Sequence, residues 1–258
     1  MKSHRAHFWA LLRTKIALNL RSEVGKNQLS YAWWLLEPCL EAAVFFVIFG
    51  IFLGQGTETF VTFLLVGLIP WTWLSRSVGN AMMSLSGAGW LLSSFRIHPA
   101  FFPLVVAGQD AIKQAVTFGF LIMVLLLAGT PITEQWLFLP AVLLLQLCLV
   151  VSAATLVAAI IPLLHDLKYL VNTSLLATMF ASGIFYDAQR LVAEEWLGFF
   201  YLNPMASLIQ LYRDILLGGL PINLHYLAVI VGWAVGLGLM SWVALRHYKD
   251  RYARLIEE

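Results

Sequence analysis

The chain has 258 residues, of which 60% are hydrophobic and 12% are charged, and its mean hydropathy is +0.82. Soluble domains carry about 25% charged residues, so this composition excludes a soluble globular protein and indicates a membrane protein with several spans. The net charge is only +2. The positions of the charges are therefore more informative than their sum.

The first predicted element is an amphipathic helix over His4–Val24, within an N-terminal region of residues 1–30. Basic residues occupy one set of positions, while apolar side chains recur at helical spacing, namely Phe8, Trp9, Leu12, Ile16 and Leu20. Such a helix lies in the membrane interface rather than across the bilayer. The alternative interpretation is a basic flank that only precedes the first span.

Six later stretches are long and apolar enough to cross a bilayer, which requires about 20 residues. They are Tyr31–Leu53, Phe60–Met82, Phe101–Leu127, Trp136–Ile161, Leu167–Phe185 and Asn223–Leu245. The predicted fold class is therefore an all-α polytopic membrane protein with six transmembrane helices. It forms a single domain over 1–258, in which the six-span bundle of residues 31–245 precedes a cytoplasmic tail of residues 246–258.

The basic residues predict the orientation. Most of the 16 Lys and Arg residues lie before the first span, after the last span, or in the second and fourth connections. The opposite side holds only Arg190 and Arg213, both in the fifth connection. The positive-inside rule then places both termini in the cytoplasm, as an even number of spans also requires.

Five charged residues lie within the predicted spans or near their ends: Glu37, Glu41, Arg76, Asp110 and Lys113. Charges at that depth are costly, so each should face protein or a water-filled cavity. Asp110 and Lys113 are three residues apart on one helix face and are predicted to neutralise each other. Glu41 is either a structural partner of Arg76 or a functional carboxylate of an ion-coupled carrier.

The fifth connection contains an apolar segment, Leu191–Leu217, that is interrupted at Asn203-Pro204. Its two halves have 12 and 13 residues, and at about 1.5 Å per residue neither can cross a hydrocarbon core of about 30 Å. We therefore expect a re-entrant pair of helices, with Pro204 at the start of the second, where its missing N–H costs little.

This pair is predicted to be either a gate or a structural lid. The candidate gate residues are Asn203, Pro204, Tyr212 and Arg213. The charged residues expected at its water-facing ends are Arg190, Glu194, Glu195, Arg213 and Asp214.

Aromatic residues are dense near the first two spans. Because aromatic faces stack on the apolar faces of sugar rings, an aromatic-lined channel would suit a carbohydrate. The candidates are Tyr31, Trp34, Trp71 and Trp73. The competing interpretation is an interfacial belt together with ordinary packing.

Enzymatic functions find little support. Gly25-Lys26 has no P-loop around it, His165 and Asp166 have no further metal ligand at a suitable spacing, and no Gly-x-Ser-x-Gly elbow is present. We therefore predict no catalytic residue, no metal site and no cofactor in this chain. Work against a gradient would need energy from an ion or from another protein.

Several stretches, in the same order, resemble the membrane subunit of type-2 ABC exporters. The N-terminal stretch Arg21–Pro38 is similar to the family's approach to the first span, although Ser30 stands where glycine is usual. The other similar stretches are Phe63–Trp73, Phe95–Pro103, His165–Val171, Phe180–Tyr186 and the strongest one, Leu202–Leu216. The resemblance is to the branch that exports bacterial surface polysaccharides such as O-antigen, capsule or teichoic acid.

The resemblance implies a homodimeric pore in the bacterial plasma membrane, with two copies of a separate ATPase subunit that bind ATP and Mg at the cytoplasmic face. It implies a coupling loop over Leu85–Pro99 that contacts the ATPase through Trp90, Phe95, Arg96 and His98. The implied cargo is a lipid-linked glycan. The alternatives are a type-2 permease for a drug or lipid, and an ion-coupled carrier that uses Glu41 or Asp110.

Overall fold

The computed structural model of the protein describes residues 2–26, 30–54, 59–88 and 97–248. Within them the regular secondary structure is entirely helical. The α-helices are α1 (Lys2–Lys26), α2 (Ser30–Phe45), α3 (Phe60–Met82), α4 (Phe101–Leu127), α5 (Leu139–Ile160), α6 (Leu167–Phe180), α7 (Ala188–Leu191), α8 (Glu194–Phe200), α9 (Pro204–Arg213) and α10 (Leu224–His247). Short π-helical segments, Phe46–Phe52 and Asp214–Gly218, extend α2 and α9.

In the described part of the chain, five helical stretches are long and apolar enough to cross a membrane. They are Ala32–Phe52, Phe60–Met82, Phe101–Leu127, Glu134–Ile160 and Leu224–His247. These agree with five of the six predicted spans and confirm an all-α polytopic membrane protein.

The remaining predicted span, Leu167–Phe185, has different bounds in the structure. Helix α6 ends at Phe180 after 14 residues, which is about 21 Å of helix and less than the thickness of the hydrocarbon core. Turns follow, and Gly183 adopts a left-handed backbone conformation with φ of 69°. A continuous apolar run therefore predicted a longer helix than the glycine turn allows.

Helix α3 forms the centre of the bundle. In its most apolar window 78% of the residues are buried, against 17% in the windows of α2 and of α10. It packs against α2, α4, α5, α6 and α9, while α5 packs lengthwise against α10. Side chains that face the bundle centre, such as Leu64, Leu68, Leu121 and Leu149, are fully buried.

The bundle has two ends, which we call the hairpin end and the α1 end. At the hairpin end, the start of α3 lies beside the residues that follow α9 and the turn after α6. At the α1 end, Leu12 packs in one cluster with Phe101, Phe102 and Leu245. Asn80, near the end of α3, contacts Asp110, so the first residues of α4 project beyond α3, and α1 packs along this projection.

Candidate functional site

Helices α8 and α9 form the predicted hairpin, joined by a turn over residues 201–203. The Asn203 side chain accepts a hydrogen bond of 2.9 Å from the Met205 N–H and so caps α9, and Pro204 occupies the first turn of that helix. Helix α8 has 7 residues and α9 has 10. Neither can cross a bilayer, and the helix break is where the sequence predicted it.

The turn of this hairpin lies inside the bundle. Asn203 donates hydrogen bonds to the Ala181 carbonyl at 3.1 Å and to the Ser182 hydroxyl at 3.0 Å. The indole N–H of Trp233 donates to the Leu202 carbonyl at 2.9 Å. Trp233 is about 14 Å along α10 from the start of that helix. The chain therefore enters the bundle along α8 and returns along α9.

Arg213 is buried, with 7% of its surface exposed. Its guanidinium donates to the carbonyls of Gly183 at 2.8 Å, Ile184 at 3.0 Å and Phe63 at 3.4 Å. The guanidinium carbon also lies 3.4 Å from the centre of the Phe63 ring, at cation–π distance. The expectation that Arg213 faces water was wrong, because the turn after α6 presents carbonyls that no helix satisfies and this cation binds them.

Gly67 of α3 leaves room for the Arg213 guanidinium to lie against that helix. A Cβ atom at Gly67 would lie 3.0 Å from an Arg213 terminal nitrogen, closer than almost all real contacts of that kind. Burial lowers the pKa of Arg213 to about 9, while Asp187 and Asp214 act in the opposite direction. The guanidinium therefore keeps its charge at neutral pH.

Asp214, also expected at a water-facing end, is buried as well, with 7% exposure. Its carboxylate accepts a hydrogen bond of 2.8 Å from Gln210. Burial raises the pKa of Asp214, and the bond from Gln210 opposes that rise. Arg190, Glu194 and Glu195 are exposed as predicted.

Tyr212 links the hairpin to the centre of the bundle. It is fully buried, and its hydroxyl donates to the Gln146 side-chain oxygen at 2.7 Å. Gln146 in turn donates to the Pro70 carbonyl at 2.8 Å, and Gln114 donates to the neighbouring Ile69 carbonyl at 3.1 Å. Pro70 has no N–H, so the Val66 carbonyl four residues earlier lacks its helical donor. The two glutamines bond the Ile69 and Pro70 carbonyls, about one turn further along α3.

The sequence analysis did not identify Gln114 or Gln146 as site residues. The signal was present, because a glutamine inside an apolar span needs a polar partner. We call Tyr212, Arg213 and Gln146 the hairpin network.

A second group of polar side chains lies toward the α1 end. We call it the ion-pair cluster: Glu23, Glu37, Glu41, Arg76, Asp110 and Lys113. Arg76 lies 3.2 Å from Glu37 and 3.7 Å from Glu41, which confirms Arg76 as a partner of Glu41. The side chains of these three residues are between 35% and 42% exposed.

The predicted pair of Asp110 with Lys113 was wrong. Asp110 accepts hydrogen bonds from Asn80 of α3, at 3.2 and 3.4 Å, and Lys113 forms an ion pair of 2.7 Å with Glu23 of α1. Residues three apart share a helix face. Here that face meets two other helices, and each charge takes a closer partner there.

The candidate channel aromatics lie in different environments. Trp71 and Trp73 are buried inside this chain, with 3% and 5% exposure, which is not where side chains lining an open channel would lie. Trp34 is half-buried, and its ring centre is 5.6 Å from the Lys113 ammonium. The side chain of Tyr31 is outside the described part of the structure.

Most of the predicted coupling loop falls outside the described residues, including Trp90, Phe95 and Arg96. His98 is described and exposed, and its Nδ1 accepts a hydrogen bond of 3.2 Å from the Ala100 N–H just before α4.

A large apolar cavity of about 900 Å³ lies between the hairpin and helices α5, α6 and α10. It extends from Leu167 at the α1 end to Trp196 and Asn203 at the hairpin. Helix α6 forms one wall, and none of its residues is buried.

Comparisons with known proteins agree with this architecture. Residues 106–217 match the family described as ABC-2 type transporter. The chain is 27% identical over 206 residues to the O-antigen export system permease protein RfbA of Myxococcus xanthus, which covers 80% of this chain and 79% of that protein. It is 20% identical to a protein of the same name from Klebsiella pneumoniae, over 99% of this chain and 98% of that one. It is 24% identical to the polysialic acid transport protein KpsM of Escherichia coli, over 85% and 88% of the two chains.

Proposed function

Because the chain carries an ABC-2 type transporter membrane domain, we propose that it is the permease subunit of an ATP-driven exporter. Its cargo is a lipid-linked polysaccharide of the O-antigen or capsule type, moved across the bacterial inner membrane. The observation that carries this proposal is the similarity to two kinds of polysaccharide permease along most of the chain. The family implies a separate ABC ATPase as partner.

The α1 end faces the cytoplasm in this proposal, with both termini on that side. The basic residues support the assignment, since α1 is rich in Lys and Arg and Arg246 lies in the last turn of α10 at the same end. The ATPase then docks on the loop Leu85–Pro99, through Trp90, Phe95, Arg96 and the exposed His98. Two ATPase copies serve a dimer of this chain.

The proposed homodimer is supported by the sparse burial of two apolar helices. None of the residues of α6 is buried, and 17% of the α2 window is buried. Helix α6 also carries hydroxyl side chains, Thr173, Ser174 and Thr178, that suit a helix facing a partner or a polar passage better than one facing lipid alone. We place the passage between two copies, with Tyr31 and Trp34 as its remaining candidate aromatics.

The hairpin then covers the outer mouth of the passage and acts as its gate. Asn203 and Pro204 form the turn, and Tyr212 and Arg213 fix the returning helix against α3 and α5. Because its anchoring bonds go to backbone carbonyls and a glutamine, the hairpin has a defined closed position. ATP binding at the α1 end shifts the population between this position and an open one.

The alternative of an ion-coupled carrier has less support. Glu41 has Arg76 as a partner, and Asp110 has Asn80, so both carboxylates have structural roles. Similarity to an O-antigen export permease and to a polysialic acid transport protein favours a polysaccharide over a drug.

The proposal is tested by co-purifying the chain with the ABC ATPase encoded next to it, followed by ATPase assays and a deletion strain. We expect a stable complex and loss of surface polysaccharide on deletion. A deletion strain with intact polysaccharide, together with no ATPase binding, would contradict the proposal.

The coupling loop has its own test in the variant Phe95→Ala/Arg96→Ala. Export should stop while membrane insertion stays normal, because the docking side chains are removed. The matched control is Phe52→Ala/Arg190→Ala, which removes two exposed side chains at the hairpin end. Normal export from the Phe95/Arg96 variant would refute the coupling assignment.

A further inference from the structure

Helix α1 packs lengthwise along α4, rather than crossing it at one point. The rings of Phe8 and Phe101 meet edge to face at 5.7 Å, and Leu12 is 7% exposed in the same apolar cluster. One turn further, a Cβ atom at Gly108 would lie 2.5 Å from the Ile16 methyl group. The backbone of α4 is therefore in close contact with α1.

The contact continues with polar side chains. Asn19 donates a hydrogen bond of 3.2 Å to Gln109. Glu23 then forms an ion pair with Lys113, in which both carboxylate oxygens lie 2.7 Å from the ammonium. From Phe8 to Glu23 the contact covers about 22 Å of α1.

A third helix joins at the end of this contact. The indole N–H of Trp34 in α2 donates to Glu23 at 3.4 Å, and the Lys113 ammonium lies 5.6 Å from the centre of the Trp34 ring. Glu23 is thus bonded to both neighbouring helices at the point where α1 ends and the first span begins. Among the described side chains, the polar contact to α4 next to that of Glu23 along α1 is made by Asn19, one turn earlier.

We propose that Glu23 is a positioning residue that joins α1 to α2 and α4, so that α1 and α4 move as one rigid body. The inference rests on the proposed function, in which the ATPase acts at the α1 end. A displacement of α1 is then transmitted through the contacts of Glu23 to α4, which carries Lys113, and to α2, which begins the first span. The joint also neutralises Lys113, whose charge lies within a candidate spanning helix.

An ion pair suits this role better than apolar packing alone. The Glu23 and Lys113 side chains are 38% and 25% exposed. Partly exposed ion pairs contribute little to stability, and this pair should do the same. What the carboxylate supplies is geometry, because its two oxygens fix the register of α1 against Lys113 and Trp34 at once. An apolar contact would let the helices slide.

The test measures the α1–α4 distance directly, on the full chain purified into lipid nanodiscs. Spin labels are placed at the exposed positions Ala17 and Ile112, after Cys39 and Cys148 are replaced by alanine. We expect one narrow distance distribution for the otherwise unchanged chain. Glu23→Gln should broaden it, and the exchange Glu23→Lys/Lys113→Glu should narrow it again.

The matched control is Glu195→Gln, which removes an exposed carboxylate at the hairpin end and should leave the distribution narrow. If Glu23→Gln does not yield folded protein, Lys113→Met removes the pair from the other side. A distribution as narrow in the Glu23 or Lys113 variant as in the parent, or one that the exchange fails to restore, would overturn the proposal.

A second measurement separates this inference from the proposed function. With the ATPase bound, Glu23→Gln should lower the polysaccharide exported per ATP hydrolysed by at least about fivefold, a typical coupling between sites, and the exchange should restore it. If the distances respond as expected but no ATPase binds and no polysaccharide is exported, the joint stands and the proposed function fails. If export depends on the chain but the distances do not respond to Glu23, the joint fails and the proposed function stands.

Discussion

The two ends of this bundle hold their charges in opposite ways. At the hairpin end, the Arg213 cation is buried and bound by three backbone carbonyls. At the α1 end, Arg76 faces Glu37 and Glu41, and all three side chains are about a third exposed. The Gly183 and Ile184 carbonyls belong to a folded turn and are fixed by the backbone. The Arg76 ion pairs join flexible side chains, so Arg76 can pass between two carboxylates without a change in the backbone.

The difference fits the proposed function. The contacts of Arg213 hold the hairpin in one position, whereas Arg76 has two carboxylate partners, Glu37 and Glu41, between α2 and α3. In a transporter driven by an ATPase at the α1 end, the fixed contacts of Arg213 suit a gate. The exchangeable partners of Arg76 suit the side on which the ATPase acts. Substitutions at four positions would break or sharpen this comparison.

The largest expected effect is that of Arg213→Met. The substitution leaves the Gly183 and Ile184 carbonyls of the turn without their donor in a buried site, at about 1–3 kcal/mol for each unsatisfied group. The Phe63 carbonyl lies within α3 and has a helical donor. We expect a large drop in the melting temperature of the purified chain, with part of it recovered in Arg213→Lys, which has a charge but no planar fork. The control is Arg190→Met in α7, just before the hairpin, where the side chain is 85% exposed. Equal losses for the two variants would show that the buried cation has no special role.

An intermediate effect is expected from alanine at Gly67. The new methyl group would meet Arg213 Nη2, which donates to the Phe63 and Ile184 carbonyls, and overpacking of this kind costs about 1–3 kcal/mol. Gly232→Ala is the control, since no atom lies within 4 Å of a Cβ atom there.

Gly108→Ala extends the comparison to the α1 end. The clash there is closer, at 2.5 Å, but it involves the end of the flexible Ile16 side chain.

We therefore expect Gly108→Ala to cost less stability than Gly67→Ala, and Ile16→Val to relieve its effect. Thermal unfolding of the three glycine variants gives the ranking. A larger loss at Gly108 would mean that the α1 end is as rigid as the hairpin end.

The smallest effect is expected from Glu41→Gln. The ion pair with Arg76 is 3.7 Å long, and Arg76 keeps a closer partner in Glu37 at 3.2 Å. We therefore expect a smaller loss of stability than in Arg213→Met. Melting temperatures of the two variants provide the measurement. A loss as large as that of Arg213→Met would contradict the contrast between the two ends.

Local chemistry made part of the hairpin predictable. An asparagine followed by proline between two short apolar runs is a helix start, and Asn203 and Pro204 form one. The partner of Glu41 was also within reach, because a carboxylate in a span needs a cation and Arg76 was available in the next span. The predicted pair of Asp110 and Lys113 was wrong, because the prediction considered only neighbours on one helix. The partners come from the other helices that pack against that face.

The sequence by itself determined the membrane class, five of the six predicted spans, and the position of the hairpin turn. These follow from composition, helix length and the chemistry of proline, which act within a few turns of the chain. The tertiary structure decided that Arg213 and Asp214 are buried, that Trp71 and Trp73 face the core, and that Glu23 meets Lys113. Each of these depends on which distant carbonyl, ring or carboxylate comes close, and residues 150 positions apart, such as Phe63 and Arg213, leave no local pattern in the chain.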